Sequence, residues 1–157
     1  QSGLTDMSVL MEVEEAAQLD ELREFVTTRL ARHERLVLML VHSDGLSMSQ
    51  VAEVLDILWG GPETLFVVSS DLSHYLPYEV ARQVDRRTID AILALSEEPI
   101  GHDEACGGTP VNGLILAARR HRLHPELLDL RNSGDTAGGR DKVVGYAALS
   151  FSETPHV

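Results

Sequence analysis

The chain has 157 residues, of which 43% are hydrophobic and 24% are charged, values typical of a globular domain and not of a disordered chain. Its formal net charge of −12 argues against a broad nucleic-acid-binding surface, and no apolar run approaches the roughly 20 residues of a membrane-spanning helix. The single cysteine, Cys106, excludes a disulfide within the chain and predicts a reducing, cytoplasmic environment.

The first third of the chain is predicted to be mainly helical. After a short lead, apolar residues from Val9 to Arg32 recur near helical spacing, and acidic residues crowd the first half of this stretch. The apolar run from Leu36 to Val41 fits either a buried strand or a short buried helix, because periodicity does not separate the two. Ser47 and Gln50 form a capping-box pattern, which predicts a helix ending near Leu58.

A buried, parallel strand is predicted for Leu65 to Val68, where four apolar residues run into a cluster of small polar side chains. Ligands of open α/β sheets bind beyond the carboxyl ends of strands. Asp71 and His74 follow this strand three residues apart, so they are candidate acid/base residues of a functional site. The alternative is that Asp71 caps the next helix and His74 packs beside it.

The rest of the chain alternates between helices and strands. Helices are predicted from Tyr78 to about Leu95 and from Thr109-Pro110 to His121, and strands from Glu126 to Arg131 and from Lys142 to Phe151. The predicted fold class is α/β: a helical N-terminal segment followed by a mixed sheet with flanking helices. The core-facing residues predicted for the first of these helices are Val80, Val84, Ile89, Ile92 and Leu95.

Three further features are candidates for chemistry. Cys106 lies just before a predicted helix start, where the helix dipole favours a thiolate, although a free cysteine is more often a small buried apolar residue. The Gly-rich loop from Asn132 to Gly139 offers backbone N–H groups to an anion, without the spacing of a known phosphate loop. A cluster of basic residues at a predicted helix end is another candidate for binding an anion. The alternative is that it is a solvated helix terminus. Its members are Arg119, Arg120, His121, Arg122 and His124.

Five motifs between about Val51 and Phe151, in order, resemble the Memo family, also called AmmeMemoRadiSam system protein B. They are Trp59 to Thr64, Val67 to Tyr78, Ala105-Cys106-Gly107, Leu127 to Asp135 and Val143 to Tyr146. This family is similar to the class III extradiol (LigB-like) dioxygenases, which are α/β proteins with a non-haem iron site.

The resemblance implies that Asp71, His74 and Cys106 belong to one pocket. Asp71 and His74 are then the expected catalytic residues, His74 and Cys106 the expected metal ligands, and iron or copper the expected cofactor. The family's metal-binding histidines come from a Pro-His-Ala-Gly-Tyr motif and a Gly-Pro-x-His motif, and neither occurs in this sequence. The metal site expected from this chain is therefore incomplete.

The first third has a resemblance of its own. Leu30 to Leu38 and Gly45 to Leu55 resemble the C-terminal helix-turn-helix region of bacterial sigma factors. In that family a recognition helix should begin after Ile57. In this sequence the segment Trp59-Gly60-Gly61-Pro62 occupies the place of that helix. The two resemblances overlap at residues 52–56, which predicts a division into a helical segment, residues 1–58, and a Memo-like α/β domain, residues 59–157. A natural or engineered chimera is one hypothesis that explains this overlap.

Three interpretations of function are open at this point. The chain is a Memo-like protein with an incomplete metal site and no catalysis, or a dioxygenase-like or redox enzyme completed by a partner chain, or a helix-turn-helix DNA-binding protein. The 11 acidic and 4 basic residues of 1–58 argue against DNA binding. An exposed sheet edge predicts a homo-oligomer, and no membrane partner is expected.

Overall fold

The computed structural model describes residues 7–9, 36–40, 46–60, 64–136 and 138–153. The helix predicted from Val9 to Arg32 lies, apart from Val9, outside these residues. In the described part of the chain, no helix has the length and apolar character needed to cross a membrane.

Three strands form a parallel sheet in the order β1-β2-β3: β1 (Met7–Val9), β2 (Leu36–Leu40) and β3 (Leu65–Val68). In its register, Leu38 of β2 lies opposite Val9 on one side and Phe66 on the other. The apolar run that begins at Leu36 is therefore a strand and not a helix, so residues 1–58 are not wholly helical. An unbroken apolar run suits a strand that has parallel neighbours on both sides.

Three further strands form an antiparallel sheet in the order β4-β6-β5: β4 (His74–Leu76), β5 (His124–Asn132) and β6 (Val143–Ser152). The predicted α/β class is confirmed, with parallel and antiparallel strands in separate sheets. The sequence analysis did not predict β4, because three residues are too short to show a period and this strand exists only through its pairing with β6.

In the part of the chain that the structure describes, three helices flank these sheets: α1 (Met48–Leu58), α2 (Tyr78–Leu93) and α3 (Gly108–His121). The predicted capping box of α1 is confirmed, since the Gln50 N–H donates to Ser47 Oγ at 3.2 Å and the Ser47 N–H donates to Gln50 Oε1 at 2.8 Å. Helices α1 and α3 pack closely, and their shared core joins Leu46 and five residues of α1 to Ala117 of α3. The packing of α1 against α3 therefore joins residues on the two sides of position 58. The predicted division of the chain into two domains at that position stays a prediction.

The buried face of α2 is only partly the one predicted: Ile89 and Ile92 are buried as expected, but Val80 is not. Val80 is 46% exposed, and the helix packs against β5 and β6 with Ala81, Asp85, Thr88, Ile89 and Ile92 buried. Two polar residues are tolerated in this face because each has a hydrogen-bond partner. Asp85 accepts from the Ser73 N–H, and Thr88 Oγ1 donates to the Val84 carbonyl at 3.1 Å.

Tyr78 ties the start of α2 to the 3₁₀ turn Ser133–Asp135. Its hydroxyl donates to Asp135 Oδ1 at 2.5 Å, and the Arg140 guanidinium lies 4.4 Å from the centre of its ring. The hydrogen bond from Tyr78 holds the pKa of the Asp135 carboxyl below its usual range, and the same bond raises the pKa of Tyr78. A carboxyl with a lowered folded-state pKa stabilises the fold above its unfolded pKa and loses that contribution as the pH falls.

Replacing Gly113 by Ala should destabilise the contact between α1 and α3. A Cβ at this position would lie 2.4 Å from Val51 Cγ1 and 3.1 Å from the Met48 carbonyl oxygen. We expect overpacking to lower the free energy of unfolding by about 1–3 kcal/mol, even though Ala favours a helix over Gly by about 1 kcal/mol. Urea unfolding measures the change. Gly139→Ala, where the new Cβ meets nothing within 4 Å, is the control and should have little effect.

Tyr78→Phe should lower the melting temperature at neutral pH and lower it less in acid. The variant cannot donate to Asp135, so the stabilisation linked to the lowered pKa of that carboxyl is lost. In the parent protein this stabilisation is present above the ordinary aspartate pKa of about 3.9 and disappears as the pH falls through the folded-state pKa. Thermal unfolding of both proteins from pH 7 to pH 2 measures the difference, and a gap independent of pH would contradict the assignment.

Candidate metal centre

Asp71, His74 and Cys106 lie together at the carboxyl end of β3. Asp71 is in the loop after β3, His74 is the first residue of β4, and Cys106 precedes α3 by two residues. One donor atom from each of the three side chains lies within 4.8 Å of the other two. His74 Nε2 is 3.4 Å from Asp71 Oδ2. The structure therefore brings together all three site residues predicted from the sequence.

Two reciprocal hydrogen bonds join the segments that carry these side chains. The Cys106 N–H donates to the Asp71 carbonyl oxygen at 3.1 Å, and the Asp71 N–H donates to Cys106 Sγ at 3.2 Å. Because both bonds involve the backbone of Asp71, the sulfur is held beside that residue whatever the conformation of the Asp71 side chain. Residues 35 positions apart in the chain are fixed as one unit.

Ser70 and Gly107 complete this junction, and the sequence analysis gave neither of them a role. Ser70 Oγ donates to the Asp71 carbonyl at 2.8 Å, accepts from the Gly107 N–H at 2.9 Å, and lies 3.8 Å from Cys106 Sγ. A Cβ on Gly107 would lie 2.9 Å from Ser70 Cβ, so only glycine fits. Both residues lie within the Ser-Ser-Asp and Cys-Gly motifs of the sequence. The residue type of a serine or a glycine does not by itself indicate a role in a site, so the sequence analysis did not select them.

The three donor side chains are accessible from solvent. The Asp71 side chain is 49% exposed, that of His74 is 36% exposed, and Cys106 is half-buried. Thiolate, imidazole and carboxylate bind zinc at about 2.0–2.3 Å, and the same donor types hold iron and copper. The donor types and their spacing, within 4.8 Å of one another, therefore fit a metal ion.

A largely apolar cavity of about 630 Å³ adjoins this cluster. Ser70 and Ala105, the neighbours of Asp71 and Cys106, line it together with all four residues of β3. Leu65 is 59% exposed, and the other three residues of β3 are only half-buried. The predicted parallel pairing of this strand is confirmed, but the prediction that it is buried is wrong in degree, because its residues line this cavity.

The basic cluster at the end of α3 is occupied by carboxylates and an aromatic ring. His121 stacks on Trp59 with 3.6 Å between ring centres, and its Nε2 lies 2.7 Å from Asp56 Oδ1. Arg120 pairs with Asp56 at 2.5 Å, and Arg119 pairs with Glu97. Arg120 and His121 tie α3 to α1, and Arg119 ties it to the segment that follows α2, so these three side chains are already paired. His124, at the start of β5, is exposed.

The loop that begins at Asn132 uses its N–H groups internally. Asn132 donates to Asp135 Oδ2 and Gly134 donates to Asn132 Oδ1, both at 2.9 Å, and Gly138 donates to the Ser133 carbonyl at 2.9 Å. These donors are not available to an anion, so the interpretation of this loop as an anion cradle is wrong for them.

Comparison with known proteins identifies relatives of this chain. A family model described as "Memo-like protein" matches residues 14–150. A MEMO1 family protein of Methanopyrus kandleri is 33% identical over 134 residues, which are 81% of this chain and 44% of that protein. A MEMO1 family protein of Methanosarcina barkeri is 35% identical over 96 residues, or 57% of this chain and 36% of that protein.

Two facts about these matches bear on the site. The chain spans less than half the length of these curated relatives. The family match begins at residue 14, well before the Val51 from which the sequence motifs showed a resemblance, and it includes most of the segment that resembles a sigma factor.

Ser70→Ala should loosen the junction around Cys106. The substitution removes the acceptor of the buried Gly107 N–H, and an unpaired buried donor costs about 1–3 kcal/mol of unfolding free energy. Amide hydrogen exchange at Gly107 should accelerate with the loss of stability. Ser69→Ala, at the exposed neighbouring position, is the matched control and should change neither quantity. Equal exchange rates at Gly107 in the two variants would contradict the role given to Ser70.

Proposed function

The chain belongs to the Memo-like protein family, and we propose that it binds a transition-metal ion through Asp71, His74 and Cys106. One observation carries the proposal: a carboxylate, an imidazole and a thiol place their donor atoms within 4.8 Å of one another in the described part of the chain. Iron and copper are the expected ions, and both accept this mixed donor set.

The thiol is the donor that most restricts the choice of ion. Cys106 is the single cysteine of the chain, so a reducing cytoplasm, the compartment we propose, keeps it free for a metal. A thiolate ligand selects softer ions over magnesium and calcium. The bound ion would supply Lewis-acid or redox chemistry.

Asp71 and His74 supply proton chemistry beside that centre. His74 Nε2 lies 3.4 Å from Asp71 Oδ2, so a proton carried on this nitrogen would point to the carboxylate, and the two side chains can act together as an acid/base pair. When His74 Nε2 is instead a ligand, Asp71 Oδ2 lies close enough to be the next donor. The two residues therefore serve either as an acid/base pair or as ligands, and this choice separates a redox or dioxygenase-like enzyme from a metal-binding protein without catalysis.

Three protein ligands leave a coordination position of the metal open, and we propose that a side chain of another chain fills it. In the described residues, β3 pairs with a neighbouring strand on one side only, and Leu65 on this strand is exposed. Such an edge recruits a further strand. A homo-oligomer assembled at this edge would place side chains of a second copy close to the carboxyl end of β3, where the three donors lie.

The chimera and the DNA-binding interpretations stay predictions. The family match from residue 14 includes most of the sigma-factor-like segment, so a separate origin is not needed to explain it. Leu36–Leu40 is a strand where a helix-turn-helix requires a helix. No observation on the described residues favours DNA binding.

Metal analysis of the purified protein tests the proposed site. After incubation with iron(II), copper(I) or zinc(II) and removal of the free ion, we expect about one ion per chain. Cys106→Ala and His74→Ala should each lower the affinity by more than roughly 10-fold, since each removes a ligand. Titration calorimetry gives the affinities. His124→Ala, on an exposed strand end away from the cluster, is the matched histidine control and should bind like the parent protein. A protein that retains none of the three ions refutes the site.

Sedimentation velocity tests the proposed assembly. We expect the chain to self-associate at micromolar concentration, and Leu65→Lys, which places a charge on the exposed face of β3, should shift it toward a monomer. Glu79→Lys, a charge change at an exposed residue of α2, is the control. A monomer at every concentration would exclude a partner copy as the source of a ligand.

A further inference from the structure

Helix α2 carries a carboxylate in the protein interior, next to the proposed metal centre. Asp85 is 2% exposed, and its Oδ1 accepts a hydrogen bond of 3.0 Å from the Ser73 N–H. Burial of an ionisable carboxyl group is costly unless its hydrogen bonds compensate, so its place in the buried face of this helix calls for a reason.

The residue that Asp85 binds lies between two members of the site. Ser73 follows Asp71 by two residues and precedes His74 directly. Its neighbour Leu72 donates to the Gly145 carbonyl at 2.9 Å, and the Gly145 N–H donates back to the Ser73 carbonyl at 2.9 Å. Strand β6 thus holds one side of this segment, and Asp85 takes the N–H that β6 leaves unpaired.

Gly145 shows how closely the carboxylate is seated. A Cβ on this residue would lie 2.1 Å from Asp85 Oδ2 and 2.5 Å from its Cγ. The carboxylate therefore lies directly against the backbone of β6, at a position where no side chain fits. A group enclosed on the helix side and the strand side in this way has little freedom to move, and neither has the segment it binds.

We infer that Asp85 is a positioning residue of the metal centre: it fixes Ser73 so that Asp71 and His74, on either side, face Cys106. The inference rests on the proposed metal-binding function. A partner that orients ligands without touching the ion commonly alters metal affinity by roughly 10–100-fold when it is removed. Asp85 acts on the backbone between two donors, so its effect should appear in both the affinity and the geometry of the site.

Cobalt(II) alone is the probe for the metal-bound state, because its absorption spectrum reports ligand geometry. We expect Asp85→Asn to weaken cobalt binding by about 10-fold and to change the spectrum, because an amide replaces the carboxyl group that accepts from the Ser73 N–H and lies against Gly145. Asp85→Ala, which removes the acceptor altogether, should weaken binding further. If Asp85→Ala does not fold, Asp85→Asn, which keeps the shape of the side chain, still decides the question.

Two variants separate positioning from a merely structural role. Thr88→Ala alters another buried polar residue of the same helix, one that bonds only within the helix, so it should lower stability without changing the cobalt spectrum. Ser73→Ala keeps the backbone N–H that Asp85 binds and should leave cobalt affinity unchanged. If Asp85→Asn and Thr88→Ala weaken cobalt binding equally, the positioning role is overturned.

The metal-free protein provides a second readout. In Asp85→Asn, amide hydrogen exchange at Ser73 and His74 should accelerate more than amide hydrogen exchange in α3. In Thr88→Ala, exchange at these two amides should not accelerate more than exchange in α3. A parent protein that binds no cobalt refutes the metal centre, whereas unaltered exchange at these two amides in Asp85→Asn refutes the positioning role. The two failures are therefore distinguishable.

Discussion

The candidate site depends on the reciprocal pair of hydrogen bonds between Asp71 and Cys106. One bond runs from the Cys106 N–H to the Asp71 carbonyl, and the other runs from the Asp71 N–H to the Cys106 sulfur. They join the loop after β3 to the loop before α3, so the parallel sheet and the third helix share one junction. Without these bonds the thiol would have no fixed relation to Asp71 and His74, and the three donors would not form a group.

The surroundings of this junction limit its freedom to move. Ser70 fills the space that Gly107 leaves and bonds to both loops, while β6 and Asp85 hold the next two residues of the first loop. Two of these contacts pair buried backbone N–H groups, those of Gly107 and Ser73, that would otherwise be unsatisfied. The same bonds fix the backbone from which the side chains of Asp71, His74 and Cys106 project. The apolar cavity beside it supplies a less polar neighbourhood on one side only.

The elements that the sequence predicted well are those decided by local chemistry. Ser47 and Gln50 are three residues apart, so the capping box of α1 is complete within one helical turn and needs no partner. The strand at Leu65 is bounded by turn residues and polar residues on its two sides. The local sequence did not decide the secondary structure of the apolar run that begins at Leu36, because such a run forms a strand or a helix according to its neighbours. Here the neighbours are the parallel strands β1 and β3. Sequence motifs could likewise name Asp71, His74 and Cys106 before any geometry was known.

The sequence by itself thus indicated the α/β class through its residue patterns and the family through its motifs, and the family resemblance implied that Asp71, His74 and Cys106 share one pocket. The tertiary structure alone decided which polar residues would be buried. Asp85 reads as a solvent-facing charge in the sequence, since carboxylates are seldom buried. It becomes an interior residue because Gly145 leaves room for it and Ser73 presents an unpaired N–H. That outcome rests on the packing of α2 and the β3–β4 loop against β6, which lies far from both in the chain, and no local pattern encodes the meeting of these elements.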